Sequence, residues 1–145
     1  MVAQANPSTI RTFHIVKELL IAAPAEVVFQ SVLEPHGPLQ PLNLKLEPWP
    51  GGRWYRDLGD NAGHLWGHVQ VIKPPKLLEI AGPLMMSYPA ISHIQYRLTE
   101  QSGGILLKFT HRAMGLMEPE LEENVTKGWG EILEQIRAAA EKKSG

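Results

Sequence analysis

The stretch Trp49-Pro-Gly-Gly-Arg-Trp-Tyr-Arg56 admits two readings that lead to different folds. A phosphate-cradling loop uses glycines so that backbone N–H groups can approach the anion, adds a basic residue, and opens straight into a helix. Tight hairpins use glycines too, because their turns need positive φ. The flanks separate the two. Residues 44–49 and 53–58 carry strand-type composition on either side of Pro50-Gly51-Gly52, and no helical periodicity follows. The stretch is a hairpin corner, and the chain around it is antiparallel sheet. In its second arm Trp54 and Leu58 share one face with Arg56 between them, while Arg53, Tyr55 and Asp57 share the other. The apolar pair is expected to point inward and to take Arg56 with it.

Working outward, the turn Asp60-Asn61-Ala62-Gly63 leads to a strand over 64–73, and Pro74-Pro75 makes the corner into 77–81. After a broken piece at 82–89, strands run over 91–99 and 105–113, joined by Gln101-Ser102-Gly103-Gly104. No connection is long enough for a helical crossover, so the strands form a meander. Upstream, residues 12–21 alternate, with Phe13, Ile15, Leu19 and Ile21 on one face and Lys17 interrupting it. A short helix begins at Ala23-Pro24-Ala25-Glu26, carries Val27, Val28, Ser31 and Val32 at helical spacing, and ends near Glu34-Pro35. Residues 35–42 hold three prolines and a glycine and are expected to form an irregular cover loop. The final segment, 118–143, is a long helix with acids at its start and lysines at its end, as the helix dipole favours. Leu121, Val125, Trp129, Ile132, Leu133, Ile136 and Ala140 form one apolar stripe, which must lie on a face of the sheet. The fold class is α+β.

Composition narrows the function. A chain of 145 residues with 43% hydrophobic content supports one core, so a single domain over 1–145, with its core about 12–140, is expected. Fourteen Lys plus Arg against fifteen Asp plus Glu leave a net charge of −1, and no basic surplus to neutralise nucleic acid. The absence of cysteine excludes disulfides, thiolate zinc and a thiol nucleophile, and fits a reducing, cytoplasmic compartment. Residues 1–7 lack a basic start and an apolar segment, and no apolar run approaches the roughly 20 residues of a membrane span.

Five pieces in order, IAAPAEVVFQSVL (21–33), PGGRWYRD (50–57), GHVQVIKPPKLLEI (67–80), GGILLKFTHRAMG (103–115) and KGWGEILEQI (127–136), resemble the START-like, or SRPBCC, superfamily. Within it the resemblance is to the branch named after the activator of the heat-shock-protein-ninety ATPase, and it covers residues 12–140. It implies a helix-grip fold, in which a curved antiparallel sheet wraps a long C-terminal helix and leaves a cavity. It implies less about activity, because the superfamily includes ligand carriers, polyketide cyclases and co-chaperone domains.

Strand phase selects the residues facing that cavity. If Leu98 is buried, Tyr96, Ile94 and Ser92 share its face; if Phe109 is buried, so do Leu107, Ile105 and His111. Trp54, Arg56 and Trp66 join Ile94, Tyr96, Phe109 and His111 on the sheet side, and Val125, Trp129 and Leu133 face them from the helix. Lys17, Arg56 and His111 are the polar groups among them, and each needs a partner, water or a polar ligand. For His111 the bland alternative is a core histidine bonded to backbone or to Tyr96; for Arg56 it is an ion pair with a helix glutamate such as Glu122. Gly128 and Gly130 flank Trp129 and cost the helix roughly 1 kcal/mol each, so bulk is unwelcome there. Leu84, Met86 and Tyr88 sit in the broken, Met-rich piece, and with the loop 39–42 they are either ordinary anchors or an adaptable pocket entrance.

His64 and His68 point the same way if their strand is regular, but a third metal ligand is missing, and neither a metal nor a cofactor is expected. No nucleophile elbow, HExxH or phosphate loop is present. The expected function is therefore binding of a small hydrophobic or amphipathic molecule, with Arg56 and His111 as polar contacts. The alternatives are a cyclase, dehydratase or hydrolase using His111, Tyr96 and Arg56 on an aromatic or polyketide-like substrate, and a module acting on a chaperone. The branch name supports a chaperone partner weakly, since one domain offers no further segment to engage it. A homodimer is left open.

Overall fold

The computed structural model describes residues 8–145; the reading of residues 1–7 as free of a leader lies outside them. Seven antiparallel strands make a curved sheet: β1 (Ile10–Ile21), β2 (Leu44–Leu46), β3 (Arg53–Gly59), β4 (Ala62–Lys73), β5 (Leu77–Gly82), β6 (Ala90–Gln101) and β7 (Gly104–Leu116). Their order across the sheet is β1-β7-β6-β5-β4-β3-β2, so β2 to β7 form the expected meander and β1 closes onto β7. The short helix α1 (Ala25–Val32) and the long helix α2 (Leu121–Ser144) pack on the concave face.

Alternation explains which residues meet there. On β1, Phe13, Ile15 and Ile21 are buried and Leu19 packs against the core. On β6 and β7, Ser92, Ile94, Tyr96 and Leu98 face inward opposite Ala113, His111, Phe109 and Leu107. The α2 stripe supplies Val125, Trp129, Ile132, Leu133, Ile136 and Ala140, all buried, with Leu121 packed at its edge. Lys17 runs under α2 at Gly130, where an added Cβ would lie 3.8 Å from its Nζ. That is ordinary contact distance, so Lys17 packs beside the helix here without requiring the glycine.

The turn at residues 49–52 is a corner in which every feature of a phosphate loop is otherwise occupied. Gly51 takes φ 82°, and a Cβ on Gly52 would collide with the Glu47 carbonyl. The Gly51 N–H donates to Val69 O at 2.8 Å and the Gly52 N–H to Trp49 O at 2.8 Å, so neither is left for an anion. Arg53 is spent as well. Its Nε and Nη2 donate to the two Glu47 oxygens at 2.9 and 2.8 Å, and this pairing holds the Glu47 carboxyl down at about 2.

The structure corrects several expectations. Residues 35–42 are not irregular: Gly37–Leu42 is a 3-10 helix, which Pro38 and Pro41 tolerate because their fixed φ suits its tight turns. The first hairpin arm pairs only over Leu44–Leu46, since residues 47–52 are used by the corner. Leu58 does not point inward; it is exposed, because the β3–β4 ladder steps from Asp57↔Gly63 to Gly59↔Ala62 and leaves it as an extra, unpaired residue. A second bulge separates the histidines of β4. Trp54 pairs with Gly67 while Tyr55 pairs with Leu65, so Trp66 is inserted and the alternation reverses across it. His64, opposite Arg56, faces inward, and His68, opposite Arg53, faces outward.

Candidate functional site

The concave face divides into a packed half and a looser half. In the packed half, Phe109 lies 4.4 Å from Trp129 and 5.0 Å from Tyr96 between ring centroids, and Phe13 meets His111 edge-on at 4.9 Å. His111 is fully buried. It accepts from Trp129 Nε1 at Nδ1 (2.9 Å), so its proton is on Nε2, from which it donates to Ser92 Oγ (2.8 Å). Burial pushes its pKa down from the usual 6.5 to about 4, so the ring stays neutral near pH 7. The partners are Ser92 and Trp129, not backbone or Tyr96. Ile94, Val125 and Leu133 fill the space around these rings, and Leu84 and Met86 are buried core residues while Tyr88 is half-buried at the rim.

The looser half lies toward β2 and β3. A cavity of about 30 Å³ is lined there by Leu44, Leu46, Trp54, Leu78, Ile80 and Tyr96 from the sheet and by Ile132 and Ile136 from α2. Pro35 and Leu39 close it from the segment that leads into and forms the 3-10 helix. That helix is bounded by two left-handed residues, Gly37 (φ 57°) and Asn43 (φ 52°). Of the thirteen residues expected at the cavity, only Trp54 and Tyr96 line this space. The sequence reading missed the surrounding leucines and isoleucines, which carry no signal beyond ordinary core periodicity. Burial raises the Tyr96 phenol pKa well above its usual value, so it stays protonated.

Beside the cavity, the ladder places Leu44, Arg56 and His64 side by side on the inner face, with Trp54 and the bulged Trp66 one step further on. The two indoles meet edge to face at 5.0 Å, and His64 stands 6.3 Å from Trp66. Two donors here are orphans. Arg56 Nε and Trp66 Nε1 are buried and have no hydrogen-bond partner among the described residues. Arg56 makes no ion pair either, with Glu122 or any other described acid. Each orphaned group costs about 1–3 kcal/mol where it stands. No cluster of three potential metal ligands occurs among the described residues.

A curved antiparallel sheet gripping a long C-terminal helix, with a short helix after the first strand, defines a START-like helix-grip domain. The chain belongs to the family of Activator of Hsp90 ATPase homolog 1-like proteins, whose model matches residues 22–141. No curated protein matches it in sequence. Among solved structures it is similar to an uncharacterized protein from Rhizobium leguminosarum, with 22% identity, a TM-score of 0.74, and coverage of 92% of this chain and 97% of that one. CalU16 from Micromonospora echinospora is 24% identical over 92% of this chain and 83% of its own, with a TM-score of 0.59. The di-domain ARO/CYC StfQ of the steffimycin biosynthetic pathway is 14% identical, with a TM-score of 0.64, over 91% of this chain and 51% of its own. At these identities the likeness is one of fold. No described helix is long and apolar enough to cross a membrane.

Proposed function

We propose that the protein binds a small hydrophobic or amphipathic molecule between the sheet and α2, at the end where β2, β3 and the 3-10 helix meet, in a cytoplasmic setting. The observation that carries this reading is the apolar cavity under a short 3-10 cover whose two ends are left-handed residues. Its size sets a condition. A drug-sized ligand needs roughly 300 Å³ or more, and 30 Å³ holds about one water, so binding requires the 3-10 helix to move away. The cover is fit for that, since its only side chains packed on the core are Leu39 and Leu42.

A cyclase-type enzyme is less well supported. His111, the natural base, is engaged at both nitrogens, lies away from the cavity and, with its pKa pushed down to about 4 by burial, is a weak proton acceptor; Tyr96 stays protonated. The chaperone reading rests on the family name alone. Native mass spectrometry of gently purified protein, with thermal shifts across a panel of lipids and aromatic metabolites, tests the proposal. Retained small-molecule mass or a Tm rise of several degrees is expected. Absence of both would remove the binding reading, and turnover lost in His111→Ala with ligand affinity kept would replace it with the enzyme.

A further inference from the structure

The orphaned donors point to the kind of head group the ligand carries. Arg56 brings a permanent positive charge to the inner face of a mainly apolar sheet. None of the described acids pairs with it: Asp57 pairs with Lys45 at 3.2 Å on the opposite face, Glu47 with Arg53 at 2.8 Å and Glu34 at the cavity rim with Lys143 at 3.3 Å, while Asp60, which lines the same surface pocket as Arg56, makes no ion pair with it. Trp66, brought to the same face by its bulge, adds an indole N–H with no acceptor, whereas the equally buried indole of Trp129 has one in His111. The His64 ring lies directly across the ladder from Arg56. Two donors therefore stand here without a hydrogen-bond partner. An apolar wall adjoins them, since Leu44, opposite Arg56, and Trp54, two residues before it on the same face, both line the cavity.

We propose that Arg56 and the indole N–H of Trp66 form a carboxylate-recognition site, so that the ligand is an amphipathic carboxylate whose apolar part enters the cavity and whose head group is held by the guanidinium fork. This rests on the binding reading above. A planar carboxylate matches the fork with two parallel N–H···O bonds and satisfies both orphans in one step.

The test titrates 2-naphthoate and its neutral counterpart 2-naphthylmethanol into the wild type, Arg56→Met and Trp66→Phe. Calorimetry reads affinity, and the Trp66 Nε1–H resonance, assigned by its loss in Trp66→Phe, reads contact. The naphthoate is expected to bind the wild type at least roughly tenfold more tightly than the alcohol and to shift that resonance, as charge-assisted bonds do. Arg56→Met should bring the two affinities together, chiefly by weakening the naphthoate. Equal wild-type affinities, or binding of neither probe, would overturn the carboxylate site, while the binding function would fall only if the ligand panel above also gave no retained mass and no Tm rise. Acetate or inorganic phosphate shifting the Trp66 resonance as strongly as naphthoate would overturn the amphiphile in favour of a free oxyanion. Should Arg56→Met not fold, Arg56→Lys keeps the charge and loses the fork, and a naphthoate affinity undiminished by it would also overturn the proposal.

Discussion

His111 shows how one side chain ties the interior together and makes stability depend on acid. Its folded-state pKa is lowered to about 4 from the usual 6.5, because burial disfavours the charged ring and protonation of Nδ1 would break the bond from Trp129. Between those values the unfolded chain binds the extra proton and the folded one does not. Stability is therefore fully present above pH 6.5 and falls as pH drops toward 4, by about 3 kcal/mol in total. Denaturant unfolding of the wild type from pH 7 to 4.5 should show this slope, and a His111→Leu variant should lose it. Removing the ring altogether is a separate matter. His111→Ala leaves a cavity and two polar groups without their partner, and should cost about 3 kcal/mol or more at pH 7. The sequence placed His111 inward through the alternation with Phe109, but its partners were not legible, because Trp129 lies on another element and only the three-dimensional crossing of α2 over β7 brings them together.

The helices and most strands were readable from periodicity, as the buried stripe of α2 and the paired faces of β6 and β7 show. The bulges were not. Leu58 and Trp66 carry no local mark of insertion; what displaces them is the ladder between β3 and β4, a property of two strands jointly. That is why the two histidines of β4, correctly spaced for one face of a regular strand, end on opposite faces. The glycines of α2 were legible as a departure from helix preference, and their surroundings differ. A Cβ on Gly130 would touch the end of Lys17 at an ordinary 3.8 Å, whereas one on Gly128 would meet nothing within 4 Å. Gly128→Ala should accordingly stabilise the protein by up to about 1 kcal/mol, measured as a higher denaturation midpoint at unchanged m-value. A loss of stability would mean that this part of α2 bends or approaches a neighbour in solution.

At the scale of the molecule, a helix-grip fold could be inferred from the order of its pieces, but the volume it encloses could not. That volume is what remains after Trp54, Trp66, Tyr96 and Trp129 have packed, and it depends on the curvature of the sheet rather than on any one segment. If the cover opens for a ligand, amide hydrogens in the 3-10 helix should exchange several orders of magnitude faster than those of β6 and β7, and a bound naphthoate should slow them. Equal protection throughout would mean a permanently closed interior. The strand order carries a consequence for how the protein is made. β1 is synthesised first, yet its only neighbour in the sheet is β7, in pairs that run from Ile21↔Ile105 to Ile10↔Leu116. Until most of the chain has left the ribosome, the first strand has nothing to join, and Phe13, Ile15 and Ile21 remain open to other chains. Such distant pairing slows folding relative to a fold built from local contacts, and prolongs the interval in which this apolar strand lies open.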